Sequence, residues 1–213
     1  MSDEQLIERV KLAIENAETG VSRVSKAAMS VGGFTSDKIR HLLNNLCRIS
    51  NNYMEIGIFR GSTFVAANCN NKLHKSIAID DWSQDFGQEN NKEVFFSNME
   101  SINWKEMDTE FKVIDQDCFQ VDEKQITDVD CFFMDGNHSY ESQRDVIIKF
   151  KYSMADVHIY AVDDCNWVDV ERGTRDGIKE AGYKILYENH LGKGLEGSID
   201  QYWNGIGIFI LKK

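Results

Sequence analysis

The spacing of apolar residues changes once along the chain, near residue 50. Over residues 3–18, Leu6, Ile7, Val10, Leu12, Ile14 and Ala17 recur close to helical period and predict a first helix. "TGVSRVSKAAMSVGGFTS" (19–36) is small and polar and reads as a loop or a broken helix. "SDKIRHLLNNLCRI" predicts another helix, with Ser36 and Asp37 as N-cap candidates and Ile39, Leu42, Leu43 and Leu46 on one face. Short apolar runs then take over: "YMEIGI" (53–58), "KSIAID" (75–80), "FKVIDQD" (111–117), "VDCFFMD" (129–135) and "VHIYAVDD" (157–164). Helix-compatible pieces separate them: "GSTFVAANCN", "NKEVFFSNMESI" and "SYESQRDVIIKFKYSM". Strands alternating with helices predict an α/β protein with a parallel sheet buried on both faces. At the end, "YKILYE" (183–188) and "IGIFILKK" (206–213), joined by a Gly-rich loop, predict an antiparallel pair closing one sheet edge.

Composition narrows the classes. The 213 residues, 42% of them hydrophobic, are enough for one sizeable core. A net charge of -11 argues against sequence-independent nucleic-acid binding and against an anionic membrane surface as partner. No run of 18 apolar residues exists, and the charged "MSDEQLIERVKLAIENAE" lacks the apolar core of a signal peptide. Cys47, Cys69, Cys118, Cys131 and Cys165 are scattered without a CxxC, and read as reduced thiols of a cytoplasmic protein.

Chemistry concentrates at strand ends. Four of the five central runs close on a carboxylate, at Asp80, Asp117, Asp135 and Asp163, while Glu55 lies within the first. Open parallel sheets bind ligands beyond the carboxyl ends of their strands, so these acids predict one shared site. In "EIGIFRGST" (55–63), Gly57 and Gly61 allow a tight turn or close ligand approach, and a helix starting at Ser62 and Thr63 presents free N–H groups. The same glycines also suit plain strand–helix packing. The spacing G-x-x-x-G departs from the dinucleotide fingerprint G-x-G-x-x-G, which disfavours an NAD-dependent oxidoreductase. Asp80, 25 residues after Glu55, is placed to accept from both ribose hydroxyls of a nucleoside. A non-catalytic nucleotide-binding module on the same fold is the remaining alternative.

"MEIGIFRGST", "IAIDDW", "FMDGNHSYES" and "AVDDCNW", in that order, resemble a class I S-adenosylmethionine-dependent methyltransferase. More narrowly, they are similar to the bacterial "DGxHSYE" group related to macrocin-type sugar O-methyltransferases. The resemblance spans roughly residues 50–213. It implies a doubly wound, Rossmann-like seven-stranded sheet, mostly parallel with an antiparallel C-terminal strand. Residues 51–213 would then form the S-adenosylmethionine-dependent domain; residues 1–50, which the resemblance does not fix, read as a helical cap that covers the site or makes a homodimer contact. The cofactor roles it implies put Glu55, Gly57, Gly61 and Ser62 at the methionine part and Asp80 at the ribose. Asp81 or Trp82 would flank the adenine, with Asp117 near its amino group and Cys118 or Phe119 against the ring. Arg60 is a candidate for the cofactor carboxylate.

Asp135, Asp163 and Asp164 bring three carboxylates to two neighbouring strand ends, where like charges raise a pKa or recruit a cation. Oxygen ligands select a hard divalent metal such as Mg²⁺ over zinc. The other reading of Asp163 and Asp164 is as caps of a following helix. Catechol-type O-methyltransferases place acids at equivalent positions, which implies a metal at Asp135, Asp163 and Asp164, with Asn166 as a spare ligand and Asp135 also bordering the cofactor. They place a basic residue near His138, which implies a catalytic base there, with Glu141 orienting it or compensating a helix dipole. The expected activity is O-methylation of a small hydroxylated acceptor such as a sugar. Trp167, Arg172, Trp203 and the segment "LGKGLEG" are candidates for an acceptor pocket or lid.

Overall fold

The computed structural model describes every residue except Asp85, Gln88, Glu89 and Glu196. Alternation along the strands decides where the helices sit. In β1 (Asn52–Ile56), Tyr53 packs into one core, while Met54 and Ile56 pack into the other. In β4 (Val129–Met134), Cys131 and Phe133 join Tyr53, and Phe132 and Met134 join Met54. A strand buried on both faces reads as a continuous apolar run, which is why these two were visible in the sequence.

The first core is covered by α1 (Asp3–Glu18), α3 (Asp37–Arg48) and α4 (Ser62–Asn68), with Phe95 of α5 (Asn91–Met99). The second is covered by α6 (Tyr140–Lys149) and α7 (Val168–Glu180). Helices α1 and α3 begin where their sequences say: Ser2 forms a capping box with Gln5, and Ser36 accepts from the Ile39 N–H. Between them, 19–36 holds one short helix, α2 (Lys26–Met29). The residues of α1 and α3 belong to the same core as the strands they cover.

Seven strands run in the order β3-β2-β1-β4-β5-β7-β6, adding β2 (Lys75–Asp80), β3 (Glu110–Asp115), β5 (Met154–Val162), β6 (Lys184–Leu191) and β7 (Ile206–Lys212). The first five pair in parallel; β7 is antiparallel to both β5 and β6, which leaves β6 at the edge. The predicted sheet is the observed one.

Register aligns the strand ends. Ile56 pairs with Ile79 and Met134, and Met134 with Val162, so β2, β1, β4 and β5 finish level. Strand order reverses between β1 and β4, and Gly57, Asp80, Asp135 and Asp163 therefore meet at one crevice. Two of the boundaries that differ from the sequence reading bear on the site. β1 stops at Ile56 because Gly57 takes φ +88°, and β3 stops at Asp115, leaving Asp117 in the following turn.

Helices α6 and α7 lie backbone to backbone. A Cβ at Gly173 would come within 2.5 Å of the Tyr140 carbonyl, and one at Gly177 within 2.7 Å of that of Arg144.

Candidate active site

A cavity of about 860 Å³ opens at the level strand ends. That volume suits a drug-sized ligand. Asp80, Asp81, Asp117 and Cys118 line the β2–β3 side; Asp135, His138, Asp163 and Asp164 line the β4–β5 side, with Gly57 and Ser62 between.

Asp80 anchors the turn after β1. Its Oδ2 accepts from the backbone N–H groups of Ile58 (2.6 Å) and Phe59 (2.8 Å), and its Oδ1 from that of Trp82 (2.7 Å). Oδ1, with a single such bond, keeps lone-pair capacity for a ligand hydroxyl. Asp81 accepts from the Ser83 N–H and Asp117 from that of Phe119. Burial pushes the Cys118 thiol up to about 12, so it lines the wall as a neutral, weakly polar group.

Several expected contacts lie elsewhere. Glu55 is fully enclosed beneath the cavity: the Tyr53 side to which it points is covered by α4, and it accepts from the hydroxyls of Thr63 (2.6 Å) and Tyr53. Burial outweighs those two bonds and raises its carboxyl to about 8. The missing side chain of Gly57 makes room for protein, since a Cβ there would sit 1.9 Å from the Asp135 carbonyl oxygen. Gly61 makes room for Phe95 and does not border the cavity. Trp82 turns away, its indole N–H donating to the Phe59 carbonyl (2.8 Å) and its ring packing on Phe95. Arg60 donates to Asn91 (2.7 Å). Asn166 is spent on the Gly-rich loop, bonding the Gly192 carbonyl and the Gly194 N–H. Arg172 lies over the Tyr140 ring. The candidate "LGKGLEG" contains Glu196, which lies outside the described residues; among its other members none borders the cavity.

At the β4–β5 side, His138 Nε2 stands 3.1 Å from Asp164 Oδ2 and 3.9 Å from Asp135 Oδ1. The Trp167 ring meets the imidazole edge-on, with centroids 4.9 Å apart. Asp164 takes φ +55° and is held by the Asn204 side-chain amide, which donates to Oδ1 at 2.8 Å. One ligand atom each from Asp135, His138 and Asp164 lies within 4.8 Å of the others. Asp163, grouped with the metal acids in the sequence, is not in that cluster; it is 3% exposed and its Oδ1 has no hydrogen-bond partner. Burial, reinforced by neighbouring carboxylates, raises both Asp135 and Asp163 well above the usual range.

Sequence reasoning missed an aromatic group at the mouth. Phe34, from the segment before α3, stacks on Phe59 (5.3 Å), and Phe86 meets both rings at 5.5–5.6 Å. All three line the cavity, although Phe34 is 49% and Phe86 59% exposed. The signal was a large apolar residue stranded in a polar, Gly-rich segment. Gly33 explains its position, because a Cβ there would strike Ser62 Oγ.

The profile of the family described as "Methyltransferase domain" matches residues 54–165, more than half of the chain. The chain belongs to that family, and its activity class is methyl transfer. Comparison with curated protein sequences returns no match. Among solved structures, the Bacillus cereus O-methyltransferase in complex with S-adenosylhomocysteine is similar at TM-score 0.59 and 14% identity, covering 100% of this chain and 92% of that one. A Staphylococcus aureus protein proposed to be a caffeoyl-CoA O-methyltransferase gives 0.60 and 15%, covering 96% and 92%. A Pyrococcus horikoshii protein proposed to be an RNA methyltransferase gives 0.58 and 14%, covering 96% and 98%. At these identities the likeness establishes a shared methyltransferase fold, and the acceptor has to be argued from the cavity.

Proposed function

We propose that the chain is an S-adenosylmethionine-dependent O-methyltransferase acting on a small hydroxylated acceptor such as a sugar. The observation that carries this reading is the pairing of His138 with Asp164 at the opposite end of one cavity from Asp80 and Asp117. The acid-rich lining fits a cofactor that carries a sulfonium and an ammonium group. When bound, that cofactor supplies an electrophilic methyl group. Asp80 receives the ribose, and Asp81 and Asp117 border the adenine. His138 takes the proton from the acceptor hydroxyl, and Asp164 stabilises the resulting imidazolium across 3.1 Å. The edge of Trp167 fixes the ring. The walls hold the acceptor oxygen in line, the contribution that matters most in a direct displacement.

The donor atoms of Asp135 and Asp164, within 4.8 Å of each other, fit a divalent cation. Held by Asp135 and Asp164, it would lower the pKa of the acceptor hydroxyl. The "DGNHSYE" segment (135–141) supports the sugar acceptor through its likeness to macrocin-type enzymes. Five free thiols and no helix, among the described residues, long and apolar enough to cross a membrane support a cytoplasmic enzyme.

Calorimetry tests the reading. S-adenosylhomocysteine should bind and NAD should not; binding of NAD alone would overturn it. Titration with Mg²⁺ or Mn²⁺ should register a site that Asp164→Ala removes. His138→Gln should lower kcat by roughly 10²–10⁴ once an acceptor is in hand, with cofactor affinity unchanged. A variant with full turnover would remove His138 from the base role.

A further inference from the structure

The cavity wall carries eight carboxylates and, among the described residues, no lysine or arginine. Three of the acids, Asp80, Asp81 and Asp117, belong to the nucleoside side. The other five stand where the acceptor enters: Asp135, Asp163 and Asp164 from the strand ends, Glu141 and Asp145 from α6. Asp145 is neutralised from outside by Arg144 at 2.7 Å. A divalent cation at the Asp135–Asp164 cluster would offset two more charges and still leave this end net negative. The surrounding cations do not reach in: Arg60 and Arg172 lie over Phe59 and Tyr140, and Lys92 over Trp82.

A second observation makes this more than an acidic surface. Asp163 is enclosed, borders the cavity, and leaves one carboxylate oxygen without a partner. Such an oxygen calls for a donor or a cation from the ligand. Trp167 and Trp203 line the same end and offer aromatic surface, which favours a cation or a polar ring over an anion. Phosphates are normally met by arginine forks or lysines, and this wall has neither; a carboxylate on the acceptor would face an uncompensated acidic end.

We infer that the acceptor carries a protonated amine and no phosphate or carboxylate, its ammonium group seated between Glu141 and the Trp167–Trp203 end of the cavity. This rests on the methyltransferase reading and narrows its substrate class. It excludes polyanionic acceptors such as coenzyme A thioesters and nucleic acid.

The experiment uses the full chain. S-adenosylhomocysteine is titrated first; failure to bind there sinks the methyltransferase reading and not the charge argument. The loaded protein, with saturating Mg²⁺, is then titrated with dopamine, 4-methylcatechol and 3,4-dihydroxyphenylacetate, which share adjacent hydroxyls and differ in side-chain charge. The ammonium compound should bind about tenfold or more tightly than the carboxylate, with the neutral one between. In Glu141→Gln that ratio should narrow several-fold. Equal affinities, preference for the carboxylate, or no binding of dopamine overturns the inference. An unchanged ratio in the variant overturns the seat beside Glu141.

Discussion

Glu55 offers the sharpest test of how the site is supported. It is wholly buried and its carboxyl is raised from 4.5 to about 8, burial being the largest cause and the Thr63 and Tyr53 hydroxyls opposing it. Over that interval the folded chain holds a proton that the unfolded chain releases. The contribution to stability is therefore complete below pH 4.5 and is lost as pH rises through about 8. At ~1.4 kcal/mol per pH unit, the loss between pH 6 and pH 8 is about 2 kcal/mol. Glu55→Gln mimics the protonated acid: its amide donates where the acid's O–H donates, and both hydroxyls can rotate to match. The variant should equal the wild type near pH 5 and exceed it by a few kcal/mol at pH 9. Urea unfolding at unit pH steps from 5 to 9 measures this, and comparing the two chains cancels the parallel contributions of Asp135 and Asp163. Stability curves that run parallel across the range would refute the argument, because they would mean Glu55 is ionised in the folded protein.

Other substitutions probe the turn and the cluster. Gly57→Ala puts a Cβ 1.9 Å from the Asp135 carbonyl at φ +88°, and should cost roughly 3 kcal/mol or more in thermal unfolding and abolish binding of S-adenosylhomocysteine. Asp80→Ala removes the acceptor of three backbone N–H groups; affinity for S-adenosylhomocysteine should fall on the order of 10²-fold, and stability by about 1–3 kcal/mol. Asn204→Ala frees the Asp164 side chain, so kcat should fall by about tenfold while S-adenosylhomocysteine binds as before in calorimetry.

The sheet was legible because buried parallel strands are written as plain apolar runs, and level strand ends follow from that pattern once the register is known. What the sequence hides is which way an acid points. Glu55 and Asp80 both sit at strand ends, but Glu55 shares a face with Tyr53 and is roofed by α4, whereas Asp80 turns to the crevice. A helix after Asp164 entered the sequence reading only as an alternative and without bounds; in α7, Gly173 and Gly177 are contact points with α6. The separation of Asp163 from Asp135 and Asp164 was equally invisible, since it depends on the left-handed turn at Asp164. Phe34 stands out in its polar segment, but its partner was not legible, because Phe59 lies more than twenty residues further along the chain.

The glycine contact between α6 and α7 reaches into the chemistry. His138 lies two residues before α6, and Asp164 and Trp167 lie four residues and one residue before α7, so the two helices are the stems on which these groups are mounted. The gap between base and carboxylate is thus calibrated by a bare-backbone seam outside the cavity. A methyl group added to that seam would detune the pair while leaving every cavity-facing residue in place.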